Sequence, residues 1–309
     1  MQKHIIHPDT HAKLVSSTKD FLYFEDGSQL PVFNGIPVLF GAQSMFCYED
    51  ICNAKVTTQN GAHLDTSNLK NYIRRKVLPA LCADFNMDLR YTELAKRLAK
   101  GSKVLIIGVG EKAQYYKNIF SDCEVITTDV HATFKPDYIF DGHYIPFQNT
   151  SFDLVLAAQV IEHTLNPWLF CEELQRVTKT DGFLQIEAPQ SFPYHAEPYD
   201  FFRFTFTGMR SLFRECAVVA TGITEGNAAN VAVTVSNFLI NMSSIRWVRS
   251  GWLLVSRLAL GWMKYLDRPK ASLTRRSVSM PKGYAFTFQK DGKSRIAKDL
   301  LSDFYELKK

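Results

Sequence analysis

The hydrophobic pattern changes near Lys100, and the chain after that residue alternates short apolar runs with amphipathic segments. Each run has the length of a buried strand, and each segment repeats its apolar residues at three- or four-residue spacing. Strands that alternate with helices predict a parallel sheet covered on both faces. The predicted strands are KVLIIGVG, CEVITTDV, DYIFD, FDLVLAAQV and FLQIEAP, and the predicted helices are EKAQYYKNIF and NPWLFCEELQRVTK.

The first 100 residues follow a different pattern. Residues 1–41 contain FLYF and LPVFNGIPVLF with the turn EDGSQ between them, which predicts a small β module. Residues 42–66 are polar and irregular and predict a linker. Residues 67–100 show helical spacing in NLKNYIRRKVLPALCADF and LRYTELAKRLA, and Pro79 is placed to kink the first of these helices.

Composition narrows the class of protein. The hydrophobic content of 46% suffices for a sizeable core. The six cysteines stand singly with no CxxC pair, which argues against a cysteine zinc site or a redox motif and favours the cytoplasm. No signal-peptide run and no spanning helix is predicted. Residues 268–309 hold eleven Lys or Arg against four Asp or Glu, so the excess positive charge of the chain, +5 in total, is concentrated in this segment. Because the basic residues do not form a face across the whole protein, no nucleic-acid partner is expected.

Glycines and acids stand where the predicted parallel strands end, the edge at which such sheets bind ligands. Gly108 and Gly110 end the first strand, where glycine lets the backbone approach a ligand. Asp129 ends the second strand, and an acid at that distance can accept hydrogen bonds from ribose hydroxyls. Asp141 ends the third strand and could accept from an exocyclic amine, with the following HYIPF packed on a purine. The alternative for the two glycines is an ordinary turn without a ligand, and the alternative for Asp141 is an ordinary acidic residue in a surface loop.

The stretch DGHYIPFQNTSFDLVLAAQVIEHTLNPWLFCEELQRVTKTDGFLQIEAPQ resembles the class I S-adenosylmethionine-dependent methyltransferases, particularly the type 11 group. The similarity lies in the PF-x-x-x-S-FDLV run, the VIEH segment followed by NP, the E-L-x-RV-x-K helix and the DG turn before a strand. It implies S-adenosylmethionine as cofactor and methyl transfer to a small molecule or a lipid-linked saccharide, with a hydroxyl as the expected acceptor.

The resemblance implies a doubly wound, Rossmann-like α/β fold over residues 67–309. The sheet would have seven strands, mostly parallel, with an antiparallel last strand. AVVATGITEG and GYAFTFQKDG supply the last two strands, antiparallel to each other, and residues 227–282 between them form a helical insertion.

The resemblance also assigns six residues to the cofactor. These are Gly108 and Gly110 under the methionine and ribose, Asp129 at the ribose hydroxyls, Asp141 with Gly142 at the adenine, and Gln159 near the methionine. Two positions depart from the family pattern. Ile106 replaces an acid that helps to bind the methionine amino group, and Lys112 replaces the third glycine. They favour the alternative of a weak or inactive binding or scaffold protein; a dinucleotide oxidoreductase is disfavoured by the FDLV and VIEH segments.

PQSFPYHAEPYDFFRFTFTGMRSLF, after the fifth strand, resembles a segment of bacterial methyltransferases of sugar and cell-envelope biosynthesis. His195, Asp200, Arg203 and Thr205 are its polar members, expected in a substrate loop or lid. A hydroxyl acceptor needs a base, for which His195 is the first candidate and His163 the second. The alternative for His195 is a hydrogen bond within its own loop. Asp200 and Arg203 could form an ion pair on one helical turn.

The N-terminal module resembles a zinc-ribbon-like unit often found beside such methyltransferases. His7, Thr10, Tyr23 and Asp26 stand at the places of its metal-binding cysteines. Because they make a poor tetrahedral zinc site, we predict a degenerate module without metal.

Residues 245–267 predict an amphipathic helix whose basic side includes Arg246, Arg249, Arg257 and Lys264, with Arg268 on the next turn. This pattern is typical of an interfacial helix on an anionic membrane, and the alternative is a helix that covers the sheet or a dimer interface.

Overall fold

Strands and helices alternate through the residues that the computed structural model describes, which are 4–53, 78–268 and 273–308. The strands are β1 (Leu14–Ser17), β2 (Phe21–Phe24), β3 (Gln29–Phe33), β4 (Ile36–Pro37), β5 (Lys103–Ile107), β6 (Glu124–Asp129), β7 (Tyr138–Ile139), β8 (Phe152–Ala158), β9 (Thr178–Pro189), β10 (Cys216–Ile223) and β11 (Gly283–Lys290). The helices are α1 (Tyr48–Cys52), α2 (Met87–Ala95), α3 (Ala113–Ile119), α4 (Pro167–Val177), α5 (Phe206–Ser211), α6 (Asn227–Asn241), α7 (Arg246–Leu260) and α8 (Ala297–Tyr305).

The large sheet has seven strands in the order β10-β11-β9-β8-β5-β6-β7. Its pairs are parallel from β9 to β7, whereas β11 runs antiparallel to both of its neighbours. The predicted doubly wound, Rossmann-like sheet with an antiparallel last strand is therefore confirmed. Since β6 and β8 lie on opposite sides of β5, the carboxyl ends of these three strands enclose the crevice in which such sheets bind ligands.

Alternate residues of β5 enter two different hydrophobic clusters. Leu105 and Ile107 belong to the larger cluster, and Val104 and Ile106 belong to the smaller one. Successive side chains of a strand point to opposite faces, so both faces of the sheet are covered. This explains why β5 appears in the sequence as a continuous apolar run instead of an alternating one.

The small sheet is antiparallel, in the order β1-β2-β3-β4. It adjoins the edge of the large sheet, because Val38 bridges to Ile139 of β7 and Ile5 bridges to Phe147. Leu22 of β2 lies in the larger hydrophobic cluster of the main sheet. The division of the chain into domains at residue 41 stays a prediction.

Several element boundaries differ from the sequence prediction. Of the first helix predicted in 67–100, residues 68–77 lie outside the described ranges, and residues 78–85 are not helical. The predicted linker contains α1, and residues 54–66 of it also lie outside the described ranges.

The helical insertion is present as α6, α7 and a 3-10 turn over Met263–Asp267. The chain leaves α7 at Gly261, so the predicted amphipathic helix is not continuous. Lys264 was expected on its basic, solvent-facing side, but it is buried and donates from Nζ to the carbonyl of Ala80 at 3.0 Å. None of the helices in the described ranges is long and apolar enough to cross a bilayer.

Candidate active site

A cavity of about 100 Å³ lies at the carboxyl ends of β5, β6 and β8. It collects residues from the three strand ends, from the 3-10 turn after β8 and from the N-terminal segment. Among the residues that line it are six that the sequence singled out, namely Gly108, Asp129, Asp141, Gly142, Gln159 and His163. Gly110, His195, Asp200, Arg203 and Thr205 are not among the lining residues.

Two glycines of the cavity wall leave no room for a side chain. Gly108 has φ of +67°, and a Cβ there would lie 2.5 Å from Cγ2 of Val160. A Cβ on Gly142 would lie 2.4 Å from Cε2 of Phe170. Gln159 also lines the cavity and holds a positive φ of 58° without being glycine. Such backbone strain is commonest at functional sites.

Asp129 is a buried carboxylate at the end of β6. Its oxygens accept hydrogen bonds from the backbone N–H of Gly110 at 2.9 Å and of His131 at 3.1 Å. Burial raises the pKa of Asp129 to about 6. Each carboxylate oxygen has two lone pairs, so acceptor capacity remains for a pair of ribose hydroxyls. The glycine turn and Asp129 therefore fit the ribose part of a nucleoside.

Asp141 is occupied by contacts within the protein. It accepts from the Ser44 hydroxyl at 2.9 Å, from the backbone N–H of Met45 at 3.3 Å and from Nδ1 of His143 at 2.6 Å. Burial alone would raise its pKa, but the hydrogen bonds that it accepts from His143 hold the pKa of Asp141 below its usual value. The cavity is smaller than the roughly 300–1,000 Å³ of typical ligand pockets, and Met45 and Phe46 are among the residues that line it.

Neither His143 nor the segment around Met45 was predicted from the sequence to belong to the site. The Nε2 atom of His143 accepts from the backbone N–H of Asn166 at 3.2 Å, which leaves the proton on Nδ1 for Asp141. His143 stands directly after the DG of the third strand end, and this position was the available signal. Met45 reaches Asp141 across 96 residues of sequence, and nothing local indicates that contact.

The HYIPF segment, predicted to pack on a purine, does not lie where it could do so. Ile145 and Phe147 are each 1% exposed and do not line the cavity. They belong to the larger hydrophobic cluster, where the ring of Phe147 packs against Phe152 at a centroid distance of 5.1 Å. Neither side chain is placed to cover a purine.

A cluster of Glu162, His163 and His195 adjoins the cavity. Oε1 of Glu162 lies 3.8 Å from Nε2 of His163, and the two imidazole rings meet edge to face at 4.9 Å. Burial lowers the pKa of both histidines, so both are neutral at pH 7. Burial also raises the pKa of Glu162 to about 8. In the sequence, Glu162 stands beside His163 in the VIEH segment, where both are expected at the rim of the site.

The loop after β9 is held by an ion pair. Asp200 accepts from Arg203 at 2.6 and 2.7 Å and from the backbone N–H of His195 at 2.8 Å. The predicted pairing of Asp200 with Arg203 is confirmed, but neither residue lies in a helix. Arg203 also donates to the carbonyl of Phe192 at 2.8 Å. Thr205 is the N-cap of α5 and accepts from the backbone N–H of Gly208.

Three of the four positions that match metal-binding cysteines in the N-terminal module are joined by hydrogen bonds. Nδ1 of His7 accepts from the backbone N–H of Thr10 at 3.4 Å, and the Thr10 hydroxyl donates to Asp26. These contacts connect the two turns without a metal ligand set. That the module is degenerate and holds no metal stays a prediction.

Residues 105–186, from β5 to β9, match the family model described as a methyltransferase domain. Over these residues the chain is similar to methyltransferase domains. The matched segment of the methyltransferase domain contains the glycine turn, Asp129, Asp141 and the Glu162–His163 pair. None of the curated protein sequences matches the chain.

Solved structures of methyltransferases are similar to this chain at low identity. A putative sarcosine dimethylglycine methyltransferase from Galdieria sulphuraria is 14% identical, with 67% of this chain and 86% of that chain covered and a TM-score of 0.43. Coclaurine N-methyltransferase bound to N-methylheliamine and SAH is 15% identical, with 68% and 74% covered and a TM-score of 0.44. Phosphoethanolamine N-methyltransferase 2 from Haemonchus contortus is 12% identical, with 68% and 53% covered and a TM-score of 0.44. At such identities and scores, these proteins carry no information on the acceptor.

Proposed function

We propose that the methyltransferase domain transfers a methyl group from S-adenosylmethionine to a hydroxyl group of a small molecule or a lipid-linked saccharide. The observation that carries this proposal is the position of His163, which lines the same cavity as Gly108 and Asp129. The residues proposed to bind the nucleoside and the neutral imidazole of His163 therefore line the same cavity. Methyl transfer needs the acceptor, the methyl carbon and the leaving sulfur to be aligned, which a shared cavity allows.

Each part of the site has a task in this reaction. Asp129 binds the ribose hydroxyls, and Gly108 and Gly142 let the ligand approach the backbone. The bound cofactor supplies a methyl group activated by its sulfonium charge. The loop that carries His195 excludes water from the acceptor.

His195 is the proposed base for the acceptor hydroxyl, with His163 as the second candidate. Nδ1 of His195 lies 3.2 Å from Oδ2 of Asp200 and 3.3 Å from the carbonyl of Pro193. Both are closer than Nη2 of Arg203, which lies 3.4 Å from Nδ1. With the proton on Nδ1, the Nε2 lone pair is left for the hydroxyl proton.

The affinity for S-adenosylmethionine should fall about tenfold between pH 7 and pH 5. Only the ionised Asp129 accepts from both ribose hydroxyls, and its pKa of about 6 makes most molecules protonated at pH 5. Isothermal titration calorimetry at the two pH values measures this change. Asp129→Asn should bind weakly and independently of pH, whereas the exposed Asp122→Asn should behave as the wild type. Equal wild-type affinity at both pH values would contradict the role of Asp129.

A non-catalytic binding or scaffold protein is the second candidate function. Ile106 and Lys112 favour it, because the family pattern has an acid and a glycine at these places. The contacts of Ser44 and Met45 with Asp141 favour it too. The pH titration separates the two candidates at the first step, since a scaffold that has lost the cofactor shows no binding at either pH.

We further propose that α7 contacts an anionic membrane surface. Trp247, Val255 and Leu258 are 84%, 50% and 61% exposed, and they fall within about 100° of one another on the helix. The exposed Arg246 and Arg249 lie on the opposite side of the helix from this apolar stripe. An exposed apolar face opposite a basic face suits the boundary of an anionic bilayer.

The full chain should float with vesicles of phosphatidylglycerol and phosphatidylcholine, and bind poorly to phosphatidylcholine alone. The double variant Trp247→Asp/Leu258→Asp should lose most of this binding, because it places two charges in the apolar stripe. Val15→Asp, a change at a 64% exposed residue of the small sheet, serves as the matched control. Sedimentation of the wild type without the anionic vesicles would refute the membrane contact.

A further inference from the structure

Glu162 is a buried acid whose carboxylate makes no hydrogen bond within the described part of the chain. The residue is 0% exposed, and neither carboxylate oxygen has a hydrogen-bond partner among the described residues. Its backbone carbonyl, by contrast, accepts from the N–H of Phe201 at 2.9 Å and of Phe202 at 3.2 Å, which ties the loop over it. Leaving a buried polar group unsatisfied costs about 1–3 kcal/mol, and more for a charged group. A site that retains such a group is built to meet a ligand.

Two histidines stand beside this carboxylate, and Nε2 of His163 lies 3.8 Å from Oε1 of Glu162. Nδ1 of His163 is bound to the carbonyl of Tyr199 at 2.5 Å, and Nδ1 of His195 lies beside Asp200 and a backbone carbonyl. The carbonyl of Tyr199 favours a proton on Nδ1 of His163 and leaves its Nε2 as an acceptor. Nδ1 of His195 has Asp200 and the carbonyl of Pro193 within 3.3 Å, and Nη2 of Arg203 lies 3.4 Å from it. Metal-binding histidines typically donate their other ring N–H to a carbonyl or a carboxylate in this way.

We propose that Glu162, His163 and His195 bind one divalent transition-metal cation. One ligand atom from each residue lies within 4.8 Å of the other two. Metal–ligand bonds of about 2.0–2.2 Å would bring these atoms to roughly 3.4 Å from one another, so the three side chains have to close by about 1 Å. Two imidazoles and one carboxylate suit Zn²⁺ and its neighbours better than Mg²⁺, which prefers oxygen ligands and ordered water.

The charges around the cluster allow a cation. Arg203 is paired with Asp200, and Lys282 is paired with Glu225 at 2.6 Å. An ionised Glu162 therefore leaves the group with one net negative charge. The sequence predicts no metal site, and the proposed cation site departs from that prediction.

The role of the cation rests on the proposed function. His163 lines the cofactor cavity, so an acceptor hydroxyl in the cavity could complete the coordination. A divalent cation lowers the pKa of a bound hydroxyl. The O–H bond then breaks with loss of the proton to solvent, and an O–C bond forms as the S–C bond of the cofactor breaks. In the metal-bound form one ring nitrogen of each histidine would serve as a ligand, and neither imidazole would act as the base.

Titration of the chelator-treated full chain with ZnCl₂, followed by isothermal calorimetry, tests the site without any methylation assay. We expect one Zn²⁺ per chain, affinity reduced at least a hundredfold in His163→Ala and in His195→Ala, and at least tenfold in Glu162→Gln. His4→Gln, a change in the N-terminal segment, should bind as the wild type. Circular dichroism melting confirms that each variant is folded.

Lack of stoichiometric Zn²⁺ binding by the folded wild type would overturn the proposal. So would unchanged binding in both histidine variants, because the metal would then sit on other residues. A separate titration with S-adenosylmethionine keeps the two proposals apart. If Zn²⁺ binds at these residues and the cofactor does not bind, the metal site stands and the proposed methyl transfer falls.

Discussion

Replacing His195 with alanine is expected to reduce turnover at least a hundredfold while S-adenosylmethionine binds as in the wild type. A positioned acid or base contributes about 10²–10⁴-fold to the rate, and the imidazole is lost whether it acts as a base or as a metal ligand. The loop should keep its shape, because the contact of residue 195 with Asp200 is made by the backbone N–H at 2.8 Å. His195 does not line the cofactor cavity, so binding should be unaffected.

The measurement is release of S-adenosylhomocysteine in the presence of a saccharide-containing cell extract, combined with calorimetry of cofactor binding. Tyr194→Ala is the matched control, since Tyr194 is the neighbouring residue in the same loop and is 59% exposed. That control should retain most of the rate. A His195→Ala protein that turns over as fast as Tyr194→Ala would remove His195 from the mechanism.

Arg90→Ala should destabilise the fold by about 3–5 kcal/mol, because it leaves a buried carboxylate without its partner. Arg90 donates to Glu187 at 2.8 Å and to Asp84 at 2.7 Å. Glu187 is 4% exposed at the end of β9, and burial already raises its pKa despite the arginine. The midpoint of thermal unfolding should fall by about 10 °C.

Urea unfolding followed by circular dichroism measures this loss. Arg97→Ala removes an exposed arginine near the end of the same helix and should cost less than about 0.5 kcal/mol. The double variant Arg90→Ala/Glu187→Leu should recover part of the loss, because it removes the unpaired charge as well. If Arg90→Ala unfolds at the same urea concentration as Arg97→Ala, the ion pair does not stabilise the protein.

The strands of the large sheet were predictable because they are buried on both faces. Residues 103–107 and 152–158 appear as apolar runs of strand length, and the glycines and acids after such runs mark the ligand-binding edge. The boundaries of the helical parts were less predictable. The 78–85 stretch has helical spacing but stays irregular, which a local pattern does not reveal when tertiary contacts override it.

The site residues that could be predicted from the sequence are those that stand at the ends of strands. Gly108, Asp129 and Asp141 are recognisable from position alone, and all three line the cavity. The importance of Glu162 depends on the loop that covers it, so it appears only when the chain is folded. The same holds for Met45, whose contact with Asp141 joins distant segments.

Titration of the full chain with S-adenosylmethionine, compared between the wild type and Gly108→Ala, tests the central claim most directly. We predict one bound cofactor per wild-type chain and affinity reduced at least tenfold in Gly108→Ala, because the added Cβ would clash with Val160 and strain a backbone of φ +67°. Gly101→Ala controls for strain alone, since its φ is +82° and nothing lies within 4 Å of the added carbon. Absence of binding by the wild type, or wild-type affinity in Gly108→Ala, would contradict a cofactor site in this cavity.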